Sequence, residues 1–109
     1  MTIEGHWRIV AMPDYEADYP DMVEPAYIRF EAGGSGNFAF GCVTGDIWGA
    51  GGAHTVAFSW HGNDEMDEAS GDGWVELQSD GTLSGEISFR RGDEVAFIAR
   101  RWLTSSTAC

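Results

Sequence analysis

The chain has no lysine, so six arginines carry all of its fixed positive charge against eighteen aspartates and glutamates. A formal net charge of -12 argues against direct binding to nucleic acid or to an anionic membrane, because those surfaces attract basic patches and repel this field. Basic protein surfaces, cations and small ligands remain as partners, and the same charge also keeps a compact domain soluble. No uninterrupted apolar run is long enough to span a bilayer. The start, Met1 to Trp7, has no basic region followed by an apolar stretch, so a cytoplasmic location is expected. Cysteine is scarce as well. Cys42 alternates with Phe38 and Phe40 in an expected strand and Cys109 closes a Thr/Ser tail, so the two are not expected to pair. Neither lies at a zinc-ligand spacing from histidine, and the reading calls for no cofactor.

What the chain does have is glycine, 15 residues of 109, and an aromatic content of 13%. That combination suits short strands and tight turns better than long helices. A first strand is expected over Gly5 to Met12, with Trp7 and Ile9 on one face, ended by Pro13. Residues 14 to 25 read as an ordered acidic loop, with Asp14, Glu16, Asp18, Asp21 and Glu24 interleaved with Tyr15, Tyr19 and Met22. Ala26, Ile28 and Phe30 alternate with polar neighbours, and residues 33 to 36 turn the chain into Phe38, Phe40 and Cys42. A short strand around Asp46 to Gly49 and a Gly51-Gly52 turn lead to Val56, Phe58 and Trp60 at period two. An acidic segment from Asn63 to Gly73 precedes a strand around Trp74 to Gln78. Leu83 to Phe89 and Glu94 to Trp102 complete about eight strands, regular enough to pair with their sequence neighbours. The expected fold is a single all-β domain over residues 1 to 103, a small antiparallel meander barrel of about eight strands, with a two-sheet sandwich as the alternative. Residues 104 to 109 read as a flexible tail. Closure would remove exposed strand edges, and a large inward set from Trp7 through Phe97 favours a packed interior over a cavity.

Gly5-His6-Trp7 on the first strand, with Arg100 or Arg101 near the end of the last, resembles the lipocalin and calycin barrels, in which a basic side chain from the last strand covers a Gly-x-Trp. The resemblance implies an eight-stranded up-and-down barrel and, for many members, an apolar ligand in the cup. Residues 5 to 10, Gly-His-Trp-Arg-Ile-Val, residues 58 to 67, Phe-Ser-Trp-His-Gly-Asn-Asp-Glu-Met-Asp, and the Asp-Gly-x-Leu-x-Gly of residues 80 to 85 are similar to a group of small bacterial proteins. That likeness implies a shared fold and carries over no chemistry.

The densest candidate site runs from Trp60 to Trp74. Asp64, Glu65, Asp67, Glu68 and Asp72, with His61, Trp60 and Trp74, form the binding set expected to dock a basic partner or offer oxygens to a cation. Asp64, Asp67 and Asp72 are the residues a calcium ion would use, although the spacing is not that of an EF-hand. The competing reading is a rigid turn held by Asn63 and Asp64, with Glu65 and Glu68 in water. Trp7, Phe40 and Phe58 are the residues that would line a ligand cup, or else fill the core. Catalysis is not expected: His6, His54 and His61 stand beside no nucleophile motif, and carboxylate pairs such as Asp64 with Asp67 arise by chance in so acidic a chain. Arg91-Gly92-Asp93 reads as a hairpin tip. The sequence therefore points to a non-enzymatic interaction module presenting acidic loops 14 to 24 and 63 to 73. The alternatives are a small apolar ligand carrier of calycin type and an acidic inhibitor that mimics nucleic acid.

Overall fold

The computed structural model describes residues 3–16, 18–31, 34–51 and 54–102. Eight strands form a closed barrel in sequence order: β1 (Gly5–Ala11), β2 (Tyr27–Phe30), β3 (Ser35–Phe40), β4 (Val43–Gly51), β5 (Thr55–Asp64), β6 (Asp67–Leu77), β7 (Leu83–Phe89) and β8 (Glu94–Arg101). Each pairs antiparallel with the next, and β8 returns to β1 through Trp7 opposite Arg101 and Arg8 opposite Arg100. Closure leaves the sheet no edge and sets aside the sandwich alternative. The expected tail, Cys109 and Gly52 fall outside the described residues.

Alternation fixes what points inward. Trp7, Ile9, Ile28, Phe30, Phe38, Phe40, Phe58, Trp60, Ile87, Phe89, Val95 and Phe97, the inward set expected from period two, all belong to one buried cluster. The rings interlock: Trp60 meets Phe38 and Phe89 edge-on at 5.2 Å each, and Phe38 stacks on Phe40 at 5.8 Å.

Two segments depart from the sequence reading. The acidic stretch expected as a loop from Asn63 to Gly73 is instead the end of β5, a two-residue turn and most of β6. The short strand expected near Asp46 is the nine-residue β4. Both misreadings come from glycine. Gly45, Gly71 and Gly73 look like turn markers, yet each lies in a strand directly opposite an inward ring, Phe38, Trp60 and Phe58 respectively, just as Gly49 and Gly85 lie opposite Phe58 and Phe97. A β-carbon on Gly45 would stand 2.8 Å from both the Phe38 and Trp60 rings. Gly45 and Gly73 make room for the Phe38, Trp60 and Phe58 rings, whereas Gly71 lies close against the Ser88 backbone carbonyl of β7. Cys42 is also corrected. β3 ends at Phe40, Gly41 takes a φ of 55°, and Cys42 sits half-buried in the turn while Val43 enters the core.

The two ends of the barrel are closed differently. At the end holding the chain termini, Trp7 is fully buried and gives its indole N–H to the Ile3 carbonyl at 2.8 Å. Arg101 stacks over that ring at 4.1 Å and bonds the Glu4 carbonyl. At the other end, residues 12–26 cross the opening: Tyr15 packs on Phe40 and on Tyr19, whose ring lies against Gly41. Arg8 holds this loop through a bidentate pair with Asp21 (2.7 and 2.9 Å).

Candidate functional site

Up-and-down connectivity places the 12–26 loop and the β3–β4, β5–β6 and β7–β8 turns at one end. Two acidic segments some fifty residues apart in sequence therefore meet on a single rim. Asp14 reaches over to accept the Ala96 amide near the start of β8 at 3.1 Å. Tyr15 feels Asp64 from the β5–β6 hairpin and Asp93 from the β7–β8 turn: burial first, then Tyr19 and these carboxylates, push its phenol above the usual value, with Arg91 opposing.

The hairpin tip is unusual. Asp64 pairs with Asp67 across a two-residue turn in which Glu65 and Met66 both have positive φ, 56° and 85°. Such a turn matches the twist of the flanking strands but favours Asn-Gly, since side chains there cost energy. The sequence nevertheless places Met66 there, 96% exposed, beside four carboxylates. Below the tip, His61, Asp64, Asp67, Glu68, Phe89, Arg90 and Arg91 line a cleft of ≈ 380 Å³. Arg91 lies over the Phe89 ring at 4.7 Å and pairs with Asp64 (3.1 Å) and Asp93 (2.8 Å). These partners raise the Arg91 pKa, the Asp93 hydrogen bond most of all. Across the cleft, His61 Nε2 lies 2.9 Å from a Glu68 carboxylate oxygen.

The structure divides the site residues inferred from sequence. Asp64, Glu65, Asp67, Glu68 and His61 gather at the rim. Trp60 does not join them; it is 1% exposed, with its indole N–H given to the Ser88 carbonyl inside the barrel. Asp72 and Trp74 lie further along β6 on the outer wall, where Asp72 accepts the Ser59 hydroxyl at 3.0 Å and Trp74 donates to Glu86 at 3.2 Å. The calcium set is scattered for the same reason: Asp67 and Asp72 have opposite parity on one strand and face opposite sides. Among the described residues no group of three or more His, Cys, Asp and Glu side chains is placed to hold a metal ion. Trp7, Phe40 and Phe58 are 0%, 0% and 4% exposed and belong to the packed core. Sequence reasoning missed Arg91 and Phe89 as parts of the cleft, and Trp48, which stands 56% exposed on β4. An arginine at a hairpin tip carries no sign of the acid it will meet from a neighbouring hairpin. Ile47 and Trp48 are adjacent and both apolar, so period two puts them on opposite faces without saying which one faces out.

No protein-family model, curated protein or solved structure matches the chain.

Proposed function

We propose that this barrel is a non-enzymatic interaction module whose loop end docks on a basic surface of a partner protein. The convergence of the 12–26 loop and the β5–β6 tip on one rim carries this reading, since it concentrates Asp14, Glu16, Asp18, Glu65, Asp67 and Glu68 where sequence had separated them. Arg91 is engaged by Asp64 and Asp93, His61 by Glu68 and the Ala96 amide by Asp14, which leaves Glu16, Asp18, Glu65 and Asp67 to a partner. Met66 supplies an apolar contact inside the charged ring, the arrangement of a docking patch with a hydrophobic centre and polar rim. The conformationally costly turn that displays it supports a selected role for the tip.

The second reading, a calycin-type ligand carrier, draws on the Arg101–Trp7 stack, which has the form that the resemblance implies. The filled core weighs against it: a ligand would have to displace Phe40 and Phe58 from ring contacts in which they are already buried.

Zero-length carbodiimide cross-linking, which joins carboxylates to lysines, tests the docking reading in cell extract. Cross-links should map to residues 14–18 and 64–68, fade at 0.5 M salt, and disappear in the Glu65→Gln/Asp67→Asn/Glu68→Gln variant. Competition by duplex DNA would narrow the partner to a nucleic-acid-binding protein and favour mimicry. Cross-links that ignore salt and the triple substitution would refute rim docking.

A further inference from the structure

We infer that the outer wall of β4, β5 and β6 holds a second binding site, distinct from the rim, which takes an arginine side chain of a basic partner segment between Trp48 and Asp72. Trp48, Ser59 and Asp72 lie in one cross-strand row, Trp48 opposite Ser59 and Ser59 opposite Asp72. All three side chains point away from the core. Two strand spacings, about 9.6 Å, separate the tryptophan from the carboxylate, and the residues between them are small. A shallow trough of ≈ 490 Å³ follows this row, lined by Trp48, Ala57, Ser59 and Asp72 with the backbone of Gly49 and Gly73. That gap suits a planar guanidinium stacked on the indole face, with its N–H edge turned to the carboxylate.

The chemistry of the two walls agrees. Trp48 is 56% exposed, a large apolar surface that the fold itself leaves uncovered. Asp72 is oriented by the Ser59 hydroxyl on Oδ1, which leaves Oδ2 to accept a charged donor. Trp74, one row along and 39% exposed, extends the aromatic surface while Glu86 holds its indole. Charge then selects the occupant. Residues 43–77, the whole of these three strands, contain seven aspartates and glutamates and no arginine or lysine. An anionic ligand would meet only repulsion, whereas a guanidinium gains from both the ring and the field. Arginine fits better than lysine because its plane stacks and its fork can reach the carboxylate at the same time.

The test uses the full chain, labelled with ¹⁵N, and an acetylated, amidated Gly-Arg-Gly-Arg-Gly peptide at low salt. Titration should shift the Trp48 indole signal, identified by its loss in Trp48→Phe, together with the Ser59 and Asp72 amides, and the shifts should saturate. Trp48→Ala and Asp72→Asn should each weaken binding roughly five- to tenfold. The same peptide with citrulline for arginine should produce no saturable shift. Trp48 is exposed and Asp72→Asn is nearly isosteric, so both variants should keep the wild-type dispersion of amide signals. The rim variant Glu65→Gln/Asp67→Asn/Glu68→Gln should bind the peptide at the wall as the wild type does, so the wall and the rim can fail separately. Shifts confined to the rim, full binding by Trp48→Ala, or equal binding of the citrulline peptide would each overturn the wall site, the last pointing to an uncharged ligand on an aromatic platform.

Discussion

The ends of this barrel solve the same problem with opposite materials. At the terminal end a buried tryptophan of the first strand is covered by an arginine of the last and tied to Ile3, just before the first strand. At the loop end a long irregular segment crosses the opening on two tyrosines and an ion pair, and leaves Glu16, Asp18 and Glu24 exposed. The first closure is packing and desolvated contact. The second is packing beneath and display above, and display is what an interaction surface needs.

Truncating the terminal plug should have the largest effect. Trp7→Ala removes one of the two largest fully buried side chains among the described residues and leaves Arg101 stacked on a void. A loss of about 3–5 kcal/mol is expected, a large part of the roughly 5–15 kcal/mol that holds such a domain folded. Urea unfolding should show the midpoint falling sharply, while Trp48→Ala on the outer wall shifts it by less than about 0.5 kcal/mol. An equal cost at both positions would break the distinction between plug and wall.

At the loop end the corresponding probe is Gly41→Ala. The added methyl meets the Tyr19 ring and a positive φ, so the loop must shift. The expected cost is about 1–3 kcal/mol. It should come with faster amide exchange across residues 12–26, leaving the Trp7 end as protected as before. Spread of the loss to the Trp7 end would mean that the two closures are one cooperative unit.

The smallest effect is electrostatic. Hydrogen bonds from Arg8, and next from the Ala26 amide, lower the Asp21 pKa from 3.8 to about 2. A carboxylate whose pKa is lowered by folding stabilises the native state above its unfolded pKa, and that contribution is lost as pH falls from about 4 through about 2. Asp21 is 44% exposed, so solvent screening keeps the pair under about 1 kcal/mol. Asp21→Asn should therefore lie slightly below the wild type in stability at pH 6, and the gap should close by pH 2. A gap that persists in acid would mean that the loop is held by neutral hydrogen bonding alone.

The strands with clean alternation, such as Val56-Phe58-Trp60 and Leu83-Ile87-Phe89, were legible in the sequence because one face of each is apolar and period two leaves no other face to bury. The candidate site was legible in composition and only partly in shape. Asp64, Glu65, Asp67, Glu68 and His61 do cluster, but as a hairpin tip and not as the loop that acids and glycines suggested. Gly71 and Gly73 could not reveal themselves as strand residues, since what keeps them small is the Ser88 backbone carbonyl of β7 and the Phe58 ring of β5, both on neighbouring strands. Trp60 itself stands beside His61 in sequence and on the opposite side of the sheet in space.

By itself, the sequence determined an all-β chain, its inward aromatic set, its strong negative charge and the absence of lysine, because these follow from local period and composition. Only the tertiary structure decided that the barrel closes between β1 and β8, that Arg101 is the arginine placed on Trp7, that two distant acidic segments share one rim, and that Trp48 stands in a row with Asp72. Each of those depends on strand register, which is set jointly by all the pairings around a closed sheet and is written in no single segment.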